Sequence, residues 1–191
     1  MMRPYYSSLR QKVEVTELVA GCSVSIDFTE DGVRAGMPEI MNPDFCKWVS
    51  QSGEEMGEVL LSPFAKRGPH TIDGIWYGSN ALPAGNYEME GNGLVVCRMD
   101  GEYLSPWESQ LFWGDGKLLE FGGVLVGTPP VLAEGVFSDR LVDSALEILV
   151  TSGSLLPGAR GCDPAGVVVR FSQTGETFQV EMPNFREPVG T

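Results

Sequence analysis

Positive charge is scarce in this chain. Thirteen Lys and Arg residues stand against 26 Asp and Glu, for a formal net charge of -13, and the longest basic cluster is the pair Lys66-Arg67. A protein that grips nucleic acid needs a basic stripe to displace counterions, and an anionic membrane surface makes the same demand. No nucleic-acid partner and no membrane partner is therefore expected. Long apolar runs are missing too: nothing approaches the ~18 apolar residues of a membrane-spanning helix. The first ten residues are polar and aromatic, without the apolar centre of a secretory signal. The four cysteines, Cys22, Cys46, Cys97 and Cys162, show no CxxC and no Cys/His pairing. That spacing argues against zinc or an iron–sulfur cluster, so neither a metal nor a cofactor is expected, and it suits synthesis in a reducing cytoplasm.

Glycine and proline, by contrast, are plentiful at 24 and 13 of 191 residues. They fall between short apolar runs, as in a domain of many short strands. Cys22, Val24, Ile26 and Phe28 alternate with Ser23, Ser25 and Asp27, the period of a half-buried strand. Val13 and Val15 alternate in the same way with Glu14 and Thr16. Turn chemistry recurs at Asp31-Gly32, Asn92-Gly93, Asp100-Gly101 and Thr174-Gly175, where glycine accepts positive φ without steric cost. Further runs lie at Val59–Phe64, Leu118–Val126, Val167–Phe171 and Phe178–Met182.

Two segments break the pattern. Asp44 can cap a short helix over about residues 45–52, with Phe45, Trp48 and Val49 as its apolar stripe and Glu54-Glu55 in a polar loop beyond. Residues 138–150 fit a helix capped by Ser138 or a strand with Val142, Leu146, Ile148 and Val150 on one face; the surrounding β character favours the strand. The expected fold is mostly β, an antiparallel β-sandwich or barrel with one short helix. It is organised as an N-terminal arm (1–12), a single β-rich domain (13–182) and a C-terminal tail (183–191).

Candidates for chemistry are thin. His70 is the only histidine, and without a nucleophile motif it reads as a solvated loop residue. Glu54, Glu55, Glu58, Glu88, Glu90, Asp115 and Glu120 could supply a carboxylate pair, but an acidic chain produces such neighbours by chance. Gly114-Asp115-Gly116-Lys117 lacks the remaining residues of a phosphate loop and reads as a turn. Trp76, Tyr77, Trp107, Phe112 and Trp113 read as sheet core first, then as a protein interface, and last as a ligand pocket. No catalytic residue is assigned.

From Leu111 to Phe171 the chain runs from a Gly-rich turn through Pro129-Pro130 into a long apolar run and a polar Asp/Gly loop, then a further apolar strand. This stretch resembles the β-rich modules of tailed-phage tail-tip and baseplate proteins of the distal-tail type. The resemblance implies a non-enzymatic virion subunit, assembled in the host cytoplasm, whose partners are copies of itself in a ring or other virion proteins. Tyr5, Tyr6 and Phe185, in the arm and tail, are the expected interface residues. The alternative is a lipocalin-like barrel that binds a small molecule such as a chromophore, or acts on it as a lyase; a carboxylate enzyme comes third.

Overall fold

The computed structural model describes residues 11–36, 42–61, 69–79, 87, 89–104 and 119–182. The chain is mostly β, as the alternation predicts, and its contacts group into two compact units. Of the described residues, the first unit holds those up to Val19, Pro129–Leu156 and those from Arg160 on. The second holds Ala20–Thr128 and Pro157–Ala159.

The first unit is a four-stranded antiparallel sheet with one helix against it. Its strands are β1 (Lys12–Glu17), β9 (Val131–Val136), β10 (Gly166–Phe171) and β11 (Thr177–Glu181), in the order β11-β10-β1-β9. The helix, α2 (Asp139–Ser152), lies where a strand was favoured. The Ser138 side chain accepts a hydrogen bond from Leu141 N at 3.2 Å, which satisfies an amide of the first turn that the helix itself cannot. Val142, Ala145 and Leu149 are buried at helical spacing. Val150 is 69% exposed, which a strand with Val142 and Val150 on one face could not allow. The core beneath α2 is Val13, Val15, Val167, Val169 and Phe171, with Phe137 and Phe178 packed around Phe171 at ring-centroid distances of 5.5 and 6.2 Å.

The second unit is built on a larger sheet. Its strands are β2 (Cys22–Thr29), β3 (Gly32–Gly36), β4 (His70–Gly78), β5 (Asn92–Met99), β7 (Leu119–Phe121) and β8 (Val124–Gly127), ordered β3-β2-β4-β5-β8-β7. The short β6 (Glu102–Tyr103) pairs with β5. All pairs are antiparallel except β5 with β8. Helix α1 (Pro43–Leu61) covers one face. It is capped by Asn42 rather than Asp44: the Asn42 amide oxygen accepts from Asp44 N and Phe45 N at 3.1 and 3.0 Å. It also runs nine residues beyond the expected end at 52, so that Glu54, Glu55, Glu58 and the start of the Val59–Phe64 run are helical. Gly53 and Gly57 made this stretch read as a loop. They sit on the buried face, where a Cβ would meet Val33 at 2.8 Å and the Phe28 ring at 2.6 Å. Their smallness lets the helix lie close on β2 and β3.

Several turns fall where glycine marks them. Asp100-Gly101 joins β5 to β6 with both residues at positive φ, 55° and 81°. Of the run Leu118–Val126, the described part from Leu119 on is folded back on itself by Gly122-Gly123, at φ 56° and 79°. Asn92-Gly93 is not a turn: both residues lie in β5, and Gly93 is packed against the Tyr77 ring.

Candidate functional site

On the large sheet, alternation sends Val24, Ile26, Ile72, Trp76, Leu94 and Val96 into the core under α1. The residues between them define the opposite face, where polar groups collect in cross-strand register. Ser25 stands opposite Asp73 and Asp27 opposite both Arg34 and Thr71; Arg98 stands opposite Asp73 on one side and Tyr103 on the other. Thr71 donates its hydroxyl to Asp27 Oδ1 at 2.8 Å. Arg98 donates to the Tyr103 hydroxyl at 2.7 Å and lies 4.3 Å from the ring centroid. That bond, first, and the neighbouring Asp73 charge favour the charged guanidinium and push its pKa up. The face is closed at one end by Tyr77, whose hydroxyl donates to the Pro157 carbonyl at 2.8 Å, and by Tyr87, whose hydroxyl accepts from Ala20 N at 3.1 Å.

At the other end of β4 lies His70. It is held rather than solvated: Nδ1 sits 3.0 Å from Asp100 Oδ2, and Asp100 Oδ1 also accepts from Thr71 N at 3.0 Å. Nε2 is buried and has no hydrogen-bond partner among the described residues. The dyad joins residues 30 positions apart, so no sequence spacing announces it.

In the first unit the unexpected residue is Glu17. It is 1% exposed, and Oε2 accepts from Leu155 N at 2.8 Å, with the Ser154 side chain as a further partner. Oε1 has no partner among the described residues. Burial pushes its pKa up, and the bonds from Ser154 and Leu155 oppose that only in part. The signal was present in the sequence, because Glu17 follows Val13 and Val15 at period two and so shares their buried face. Glu14, on the other face, is paired with Arg170 at 2.7 Å.

Of the acids weighed from sequence, Glu54, Glu55 and Glu58 lie exposed on α1, Glu90 is exposed before β5 and Glu120 is exposed on β7. Three of them share α1, and the other two lie before β5 and on β7. Trp76 is core, 5.3 Å from both Phe45 and Trp48. Glu88, Asp115, Lys117, Trp107, Phe112 and Trp113 lie outside the described residues, as do the expected interface residues Tyr5, Tyr6 and Phe185. Among the described residues no three His, Cys, Asp or Glu side chains are grouped to hold a metal, and none of the four cysteines is in a disulfide.

No family model matches this chain, and no curated protein does. Solved structures do. An RNA ligase of Naegleria gruberi, solved with pyrophosphate, superposes with a TM-score of 0.57 at 19% identity, over 92% of this chain and 50% of that one. A glutamate-to-alanine variant of it with AMP and Mn gives 0.59 at 18%, over 93% and 52%. A lysine-to-alanine variant with ATP and Mn gives 0.57 at 19%, over 90% and 50%. The chain shares its fold with about half of that ligase. At such identities the likeness speaks for the fold alone, and the chain spans about half the length of the ligase chains it matches.

This finding overturns the tail-protein resemblance. That resemblance rested on turn spacing over residues 111–171, whereas the ligase likeness covers more than nine-tenths of the chain. Short strands, Gly-rich turns and a Pro-Pro connection are common to many β-rich folds, so spacing alone could not separate them. The reading of a non-enzymatic virion subunit falls with it, since the structures that share this fold belong to an enzyme. The lipocalin-like alternative finds no support either. The ligase has been solved with a lysine replaced and, separately, with an aspartate two residues beyond it replaced. Nowhere in these 191 residues does an aspartate follow a lysine at that spacing.

Proposed function

We propose that this chain is an adenine-nucleotide-binding domain of RNA-ligase architecture, serving a nucleotidyl-transfer system. The observation that carries the reading is the likeness of almost the whole chain to a ligase solved with ATP, with AMP and with pyrophosphate. The polar face of the large sheet is the ligand surface we assign. Arg34 and Arg98 are its cations, Tyr103 supplies an aromatic ring and a hydroxyl, and Asp27 and Asp73 keep the face from being simply basic. A nucleotide suits this chain better than an RNA strand, because two arginines can meet one polyphosphate, whereas a polymer would meet the net charge of -13. With no ready-made group of three metal-ligating side chains among the described residues, a divalent ion would arrive on the phosphates, held by them and at most one or two carboxylates.

Calorimetric titration of the full chain with ATP in the presence of Mn tests the reading. Saturable binding of ATP is expected, with Arg98→Ala weakening it by about tenfold, the low end for a charge-assisted bond to phosphate. Absence of binding at millimolar ATP would overturn it. Incubation with ATP labelled at the α-phosphate, run alongside, reads whether the chain itself accepts the nucleotide covalently.

A further inference from the structure

The four-stranded sheet of the first unit ends in β9, whose outer side is unpaired among the described residues. Strand β9 pairs with β1 along one edge, and no described residue pairs with its other edge. The phase of that pairing can be read from its end. Phe137 N donates to the Gln11 carbonyl at 2.9 Å, and in an antiparallel ladder bonded and non-bonded pairs alternate. Val13 with Gly135, and Val15 with Ala133, are therefore the bonded pairs, whereas Lys12 with Val136 and Glu14 with Glu134 are not. The backbone N–H and C=O groups of Glu134 and Val136 point outward from the sheet edge. By register Val131, Glu134 and Val136 also share the face opposite the buried Val13 and Val15. Val131 is 46% and Val136 53% exposed. The edge thus offers a hydrogen-bonding template with two apolar contacts flanking one carboxylate.

We propose that β9 is a docking edge for an extended segment of a partner protein carrying Lys or Arg opposite Glu134. Unpaired backbone groups on an exposed, partly apolar edge are what strand addition uses. Charge selects the occupant. A second copy docked edge to edge would bring together chains that each carry -13, and in the antiparallel register centred on Glu134 it would set that carboxylate opposite its own counterpart, where like charges on facing strands destabilise. A basic strand meets the opposite situation. Glu14, across from Glu134, is already engaged by Arg170, so Glu134 is the carboxylate left to answer the partner's cation.

The test uses the full chain and two synthetic peptides of about six residues, the usual strand length. Both alternate Val and Thr; one has Lys at its centre and the other Glu. Amide hydrogen exchange and titration by NMR are followed. The Lys peptide should slow exchange at Glu134 and Val136 and bind about two- to fivefold tighter than the Glu peptide, as a single cross-strand charge pair allows. Glu134→Lys should invert that preference, and Val136→Pro, which removes an outward N–H while leaving the bonded pairs with β1 in place, should abolish the protection. Circular dichroism of both variants is the folding control, and a native-like spectrum is expected of each. Failure of millimolar Lys peptide to protect these amides, or equal binding of the two peptides, would overturn the proposal. A dimer of the chain that Val136→Pro dissociates would also overturn it, in favour of a second copy on this edge.

Discussion

Glu17 shows what one buried carboxyl costs and contributes. It ends β1 on the core face, and through Leu155 N and the Ser154 side chain it anchors the segment that follows α2. Glu17→Ala leaves the Leu155 amide without its acceptor and should lower stability by about 1–3 kcal/mol, the usual range for an orphaned buried group. Glu17→Gln keeps an acceptor and removes the charge. The folded-state pKa lies above the unfolded one, so the folded protein binds the extra proton and Glu17's contribution to stability falls as pH rises from the ordinary glutamate range through the raised value. In paired denaturant titrations from pH 4 to pH 8, the Gln variant should gain on the native chain as pH rises. A constant difference across that range would show that Glu17 is not titrating there. Cys97 offers a second check at this scale. Burial pushes its thiol up to about 11, so little thiolate is present at pH 8, and its alkylation should be slow there and quicken as pH rises towards that value. Rapid labelling of Cys97 at pH 8 in the native protein would contradict the raised thiol pKa.

At the level of elements, composition misled where packing decided. Gly53 and Gly57 look like helix breakers, and in an exposed helix alanine would be favoured at either position by about 1 kcal/mol. Here a Cβ on Gly57 would meet Phe28 ring atoms at 2.6 and 2.8 Å. Gly57→Ala should therefore destabilise, by about 1–3 kcal/mol for overpacking less the propensity gain. A thermal melt showing stabilisation would mean that α1 does not lie that close on β2. The strands themselves were legible, because alternation in Cys22–Phe28 and the turn at Asp100-Gly101 are local signals written in adjacent residues. Helix α2 was not separable from a strand by its own residues. Val142 with Ala145 and Leu149 fits one period, and Val142 with Leu146, Ile148 and Val150 fits the other. What decides is the sheet of β1, β9 and β10 on which it packs, and that sheet joins segments far apart in sequence.

For the whole molecule, the β-rich class could be read from the sequence and the particular fold could not. The polar face assembles from β2, β3, β4, β5 and β6, with Asp27 meeting Thr71 and Asp73 meeting Arg98. No motif spacing encodes such a constellation, because each of those strands needs to carry only one or two polar residues in the outward phase. The net charge of -13 was read as excluding nucleic acid, and it still weighs against a bound polymer; a mononucleotide with its cation makes a smaller demand. The same charge sets the control that matters, since an acidic protein gathers divalent cations without any specific site. Paramagnetic broadening of amide resonances by Mn, recorded with and without ATP, is the most direct measurement. ATP-dependent broadening centred on Ser25, Asp73, Arg98 and Tyr103, and weakened in Arg98→Ala, is expected. Broadening that is the same without ATP, or that spares this face when ATP is present, would contradict it.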